Sequence, residues 1–176
     1  LYFVPSVHKI AVKCNSKISL NNILRYLHEA FESVEPEGFD VTIVLDHDMI
    51  QRILTAHSIL SFEAKISYSN PGHTEGFSEL FENKMHVMNP DIFMMSAVGT
   101  KDNPLVKDDD GIIHTVTRLA EENGSLKATV IENEGGGRVK IDSKDHPRIL
   151  AIPEIINGIC STIYNALKSY FSNYES

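Results

Sequence analysis

The chain opens on an alternation: His8, Ile10, Val12 and Cys14 fall on one side, with Lys9, Ala11 and Lys13 on the other. Period two predicts a strand, because successive side chains of extended backbone point to opposite faces. Ser19 then supplies an N-cap oxygen for the amides that a first helical turn leaves unpaired. Behind it Leu20, Ile23, Leu24, Leu27, Phe31 and Val34 recur at helical spacing on one stripe, and Glu35-Pro36-Glu37-Gly38 stops the helix.

Val41, Ile43 and Leu45 predict a second strand, followed by a short helix that turns Met49, Ile50, Ile53 and Leu54 inward. Phe62, Ala64, Ile66 and Tyr68 alternate with Ser61, Glu63, Lys65 and Ser67, a strand with one wet face that ends in the turn Ser69-Asn70-Pro71-Gly72. Phe77, Leu80, Phe81, Met85 and Met88 mark another amphipathic helix. The run Ile92 to Val98 is apolar on both faces, which predicts a strand in the middle of the sheet. Ile112, Ile113, Val116, Leu119 and Ala120 form the next helix, which Asn123-Gly124 ends. Leu126–Ile131 and Arg138–Ile141 read as a hairpin joined through Glu134-Gly135-Gly136-Gly137. The last helix carries Ile155, Ile156, Ile159, Cys160, Ile163, Leu167 and Phe171 on one stripe, which either seals the core or meets a partner.

Strict strand–helix alternation would suggest a doubly wound parallel sheet. The short second helix and the half-polar Phe62 strand favour another arrangement. The expected fold is α+β: a mixed, largely antiparallel sheet with helices packed on it, as a ferredoxin-like strand–helix–strand core extended by the hairpin and the C-terminal helix. Residues 1–176 are expected to form one domain. Leu1 in place of Met, running straight into a strand-like Tyr2-Phe3-Val4, predicts a piece of something longer.

Composition narrows the function classes. The 176 residues are 42% hydrophobic, enough for a buried core, and their formal net charge is −8. Five arginines among 16 basic residues disfavour a broad nucleic-acid footprint, which needs many phosphate contacts. The same charge disfavours an anionic membrane surface, and no apolar run approaches the roughly 20 residues of a spanning helix. Acidity fits a cytoplasmic protein with a basic partner. The two cysteines, Cys14 and Cys160, sit at apolar-face positions and predict buried, reduced thiols, with a disulfide as the alternative. Without a C-x-x-C, a cysteine-based zinc site is excluded.

Several polar groups invite a chemical reading, each with a plainer one beside it. Asp46-His47-Asp48 lies where a strand becomes a helix, and with Glu63 and His57 it offers oxygen and nitrogen ligands for a divalent metal. The plainer reading is a helix cap. Gly135-Gly136-Gly137-Arg138 offers free amides and an arginine fork for a phosphate, but lacks P-loop spacing and opens a strand; a hairpin tip is the plainer reading. Asp108-Asp109-Asp110 lacks EF-hand spacing and reads as a solvated loop and N-cap. The eight histidines form no H-E-x-x-H, and no G-x-S-x-G elbow is present.

Asp46 followed by Glu63-Ala64-Lys65 resembles the acid…(Asp/Glu)-x-Lys pattern of the restriction-endonuclease-like nucleases. That likeness implies a nuclease in which Asp46 and Glu63 hold magnesium and Lys65 positions or activates water. Asp142-Ser143-Lys144 repeats the pattern in a turn. The segment Phe62 to Pro71 also resembles uncharacterised bacterial proteins of mobile-element and phage-defence loci, which implies a setting rather than a mechanism.

The function expected is a non-catalytic interaction or sensor module of a larger bacterial protein or complex. No cofactor is expected, and the partner is a protein or a second copy that meets Ile155, Ile159, Ile163, Leu167 and Phe171 of the C-terminal helix. The alternatives are the metal-dependent nuclease of Asp46, Glu63 and Lys65, with a divalent ion such as magnesium, and a nucleic-acid or nucleotide binder. That binder would use Tyr68 with Lys9, Lys13 and Lys65 on a sheet face.

Overall fold

In the computed structural model, residues 2–4, 9–13, 18–32, 34, 41–67, 90–109, 111–150 and 159–172 are described, and they form four helices and two antiparallel sheets. The architecture is the expected α+β. The chain makes two compact units, one from residues 1–39 and 149–176, the other from residues 40–148.

The first unit contains β1 (Tyr2–Val4) and β2 (Lys9–Ala11), paired antiparallel with Phe3 opposite Ile10. Ser19 caps α1 (Leu20–Glu32), its hydroxyl accepting from the Asn22 amide at 3.3 Å. Ile23 and Leu27 are buried as the stripe predicts, whereas Phe31 and Val34 are exposed. The helix ends at Glu32, and a turn in which the Val34 amide donates to the Phe31 carbonyl at 2.8 Å takes Val34 off the stripe. Helix α4 (Ile159–Ser172) buries Ile163 and Leu167 within the protein. Cys160 on this helix is exposed rather than buried. It accepts a hydrogen bond from the Tyr2 hydroxyl at 3.9 Å, and that bond holds the phenol above its ordinary pKa.

The second unit holds α2 (His47–Thr55), β3 (Ser58–Ser67), β4 (Ile92–Val98), α3 (Ile112–Asn123), β5 (Gly124–Ile131) and β6 (Arg138–Asp142). Its sheet has the order β4-β3-β5-β6, with every neighbouring pair antiparallel. Since β4 and β5 both oppose β3, they run the same way. Helix α3 links them, so β4–α3–β5 is a strand–helix–strand unit with β3 inserted between its strands.

One face of this sheet is the core. Met49, Ile50 and Ile53 of α2 and Ile113, Val116 and Ala120 of α3 pack on Phe62, Ala64 and Ile66 of β3 and on Leu126, Ala128 and Val130 of β5. Each of the larger side chains among them, Val, Leu, Ile, Met or Phe, contributes about 1.5–3 kcal/mol when taken fully out of water. Phe62, Ile53, Ile59, Val116 and Val130 are completely enclosed.

Three expectations are corrected in this unit. The strand predicted at Val41–Leu45 is reduced to an isolated bridge between Leu45 and Pro147. The Asp46 amide donates to the His146 carbonyl at 3.0 Å and the Arg148 amide to the Val44 carbonyl at 2.8 Å. The Leu45 amide turns away to the Glu121 carbonyl at 3.0 Å, and the pairing goes no further among the described residues. Second, Ile92–Val98 is an edge strand, not a central one, and the Phe62 strand takes the central place. Third, the N-cap of α3 is Gly111, without a side-chain cap, so Asp108 and Asp109 do not cap it. The other end is as expected: α3 stops at Asn123, and its C-cap Gly124, extended with φ −161°, is already the first residue of β5. Tyr68, the Ser69–Gly72 turn and the helix expected from Phe77 to Met88 lie outside the described residues.

Candidate interaction surface

Helices α2 and α3 pack on one face of the four-stranded sheet, and register defines what stands on the other. Directly opposed residues of antiparallel strands share a face. One row runs Ser96, Glu63, Lys127, Asp142, the next Val98, Ser61, Thr129, Lys140, and a third Met94, Lys65, Ser125. The β5 and β6 side of this open face is polar, with Lys127, Arg138 and Lys140 exposed and Asp142 paired to Lys144 at 3.3 Å. The β4 side is apolar. Ile92, Met94 and Val98 are 46%, 74% and 79% exposed, while the intervening Phe93, Met95 and Ala97 are half-buried and face the core side.

A lone exposed leucine or valine is normal on a folded protein; here three large apolar side chains, with Ser96 between the last two, stand exposed along one edge strand beside a polar field. Periodicity did not single these residues out as a site. Their signal was the two-sided apolarity of Ile92–Val98, which burial on both faces would also have produced.

A second polar cluster lies where α2 starts. Asp46 accepts from the Asp48 amide at 2.9 Å and is the N-cap of α2. His47 Nδ1 lies 3.4 Å from Glu121 Oε1, and its Nε2 lies 3.3 Å from Gln51 Nε2. The Arg148 guanidinium bonds to Glu121 and, at 2.9 Å, to the Leu45 carbonyl. These bonds tie the chain on either side of the Leu45–Pro147 bridge to α3, which is a structural task.

The residues proposed for metal chemistry are not brought together. Glu63 stands on the open face between Ser96 and Lys127, whereas Asp46 and Asp48 begin the helix whose Met49, Ile50 and Ile53 pack on the opposite face. Lys65 shares the open face with Glu63. Among the described residues no three His, Cys, Asp or Glu side chains gather in a way that could hold a metal ion. Asp142 accepts from the Lys144 amide at 3.2 Å and caps the 3-10 turn Ser143–Asp145, which accounts for the second acid–lysine pattern. In the glycine loop the Gly136 amide donates to the Asn133 carbonyl at 2.9 Å and Gly135 takes φ +73°, a tight turn rather than an open row of amides. Arg138 is exposed at the start of β6.

Of the C-terminal stripe, Ile163 and Leu167 are buried and so are not a free docking surface. Ile155 and the side chains of Ile159 and Phe171 lie outside the described residues. For the nucleic-acid reading, Lys9 and Lys13 belong to the first unit, Tyr68 is not described, and the open face carries no aromatic side chain among the described residues. No helix among the described residues is long and apolar enough to cross a membrane.

A family model, that of a domain of unknown function (DUF4747), matches residues 1–170, nearly the whole chain. The chain belongs to the DUF4747 family. No curated protein and no solved structure matches it. The DUF4747 match spans both units, so β4 and its open face lie inside the family's domain.

Proposed function

We propose that this DUF4747 chain is a non-catalytic interaction module of a larger bacterial protein or complex, and that the β4 side of the open sheet face is its contact surface. The observation that carries the reading is the exposed row Ile92, Met94 and Val98 on a chain whose net charge is −8. Burying such a row on a partner removes apolar area from water at about 25 cal/mol per Å². The contact site is therefore moved from the C-terminal helix, whose Ile163 and Leu167 are spent on the protein's own interior.

A nuclease would need Asp46, Glu63 and Lys65 around one cation, whereas Glu63 stands on the open face and Asp46 caps the helix that packs on the other. A nucleic-acid platform would need stacking aromatics beside Lys65, Lys127 and Lys140. Neither has an observation in its favour equal to the exposed row. A cytoplasmic, phage-defence or mobile-element setting belongs to the same proposal, supported by the acidic composition and by the likeness of Phe62 to Pro71.

The test is purification of tagged full-length wild type and Met94→Lys from the host cell. The wild type should carry a stoichiometric protein companion, or a second copy of itself, that the variant loses while keeping its circular dichroism. A wild type that elutes alone at every concentration sinks the reading.

A further inference from the structure

The geometry points to a second copy of this chain as the occupant of β4: two molecules pair β4 against β4, antiparallel, about a two-fold axis through Met95. This deepens the interaction-module reading and rests on it.

Hydrogen-bond phase comes first. The Gly99 amide donates to the Leu60 carbonyl at 2.8 Å, and the β3–β4 register places residue 99 opposite residue 60. In an antiparallel pair the residues that exchange bonds alternate with those that do not. Phe93, Met95 and Ala97 therefore turn their backbone groups toward β3. Ile92, Met94, Ser96 and Val98 turn theirs outward, to the edge, and no hydrogen bond from them to another strand occurs among the described residues. The same four residues place their side chains on the open face, all exposed.

Self-complementarity supplies the choice of occupant. In the register centred on Met95, Ile92 opposes the second copy's Val98 and Met94 its Ser96, so every outward amide and carbonyl of the four finds a partner. The exposed apolar side chains of the two copies then stand side by side on one face, Ile92 against the second copy's Val98, and shield each other laterally. An isologous contact of this kind closes at a dimer. It joins two four-stranded sheets into one continuous sheet.

The two edges of the sheet differ in the expected way. Natural proteins blunt an edge that must stay single with charges, above all lysine. The other edge strand, β6, carries Arg138, Lys140 and Asp142. Strand β4, with the sequence IFMMSAV, carries no charge and no proline. Self-pairing of β6 about its middle residue would set Lys140 beside Lys140 of the second copy, with Arg138 opposite Asp142, whereas self-pairing of β4 brings no like charges together. Each copy does carry a net charge of −8, so general repulsion opposes the dimer and salt should favour it.

Sedimentation or light scattering on the full chain tests this, with Ser96→Pro and Met94→Lys. The Ser96 amide points away from β3, so proline there removes a donor that only the second copy uses. Wild type is expected at twice the mass of one chain, more so at higher salt, and both variants at the mass of one chain with unchanged circular dichroism. A wild-type dimer that both variants retain overturns the β4 pairing. A wild type that is monomeric, yet holds a different protein that Met94→Lys releases, also overturns it while leaving the interaction-module reading intact. A wild type that is monomeric and holds nothing overturns both.

Discussion

Gly124 lies against the carbonyl oxygen of Lys65 so closely that a Cβ added at Gly124 would overlap that oxygen. The obstacle is backbone of the central strand, which cannot rotate away as a flexible side chain would. Helix α3 thus passes into β5 without a loop only because residue 124 has no side chain. Gly124→Ala should destabilise the fold by about 2 kcal/mol or more, the range of substitutions that force backbone apart. Urea denaturation read by circular dichroism checks it, and a variant as stable as wild type would mean that the helix–strand junction relaxes freely.

Ser143 is almost wholly buried, at 1% exposure, and its hydroxyl accepts from the Leu126 amide at 2.9 Å. Ser143→Ala leaves that amide unpaired away from water, at a cost of about 1–3 kcal/mol. Hydrogen exchange at Leu126 should accelerate more than at Ala128, whose strand bonds are untouched.

Arg148 and Glu121, each about one-fifth exposed, form the ion pair that fastens the Leu45 segment to α3. Removing one partner leaves the other charge half-buried and uncompensated. Arg148→Met or Glu121→Gln alone should each lower stability by about 1–3 kcal/mol, and the double variant by less than their sum. Strict additivity in that cycle would show that the two groups are not coupled.

Asp46 caps α2 through the Asp48 amide. Asp46→Ala should cost about 1 kcal/mol, whereas Asp46→Asn, another good cap, should stay within a few tenths. Thermal melts of the two variants separate capping from a need for negative charge, because a charge-dependent role would penalise both.

Much of the fold was legible in the residues taken in order. The Ser19 cap, the inward stripe Met49, Ile50 and Ile53, the alternation from Phe62, and the hairpin from Leu126 to Ile141 all follow from local periodicity and turn chemistry. The short helix and half-polar strand also pointed to antiparallel pairing. These signals are local, so they survive whatever the rest of the chain does.

What local pattern could not carry was neighbourhood. An apolar run such as Ile92–Val98 looks the same whether a strand or a second molecule lies beside it, and only the order β4-β3-β5-β6 made it an edge. Asp46 and Glu63 look like a metal pair in one dimension, yet Glu63 stands on the open face and Asp46 caps a helix that packs on the other. Residues one apart on a strand face opposite ways, but which way is inward is decided by where the helices land. The chain by itself therefore determined most of its described elements, the Ser19 and Asp46 caps and its acidic balance. The tertiary structure alone decided which face of the sheet is core and which apolar side chains remain in water, because burial belongs to a residue's surroundings in space.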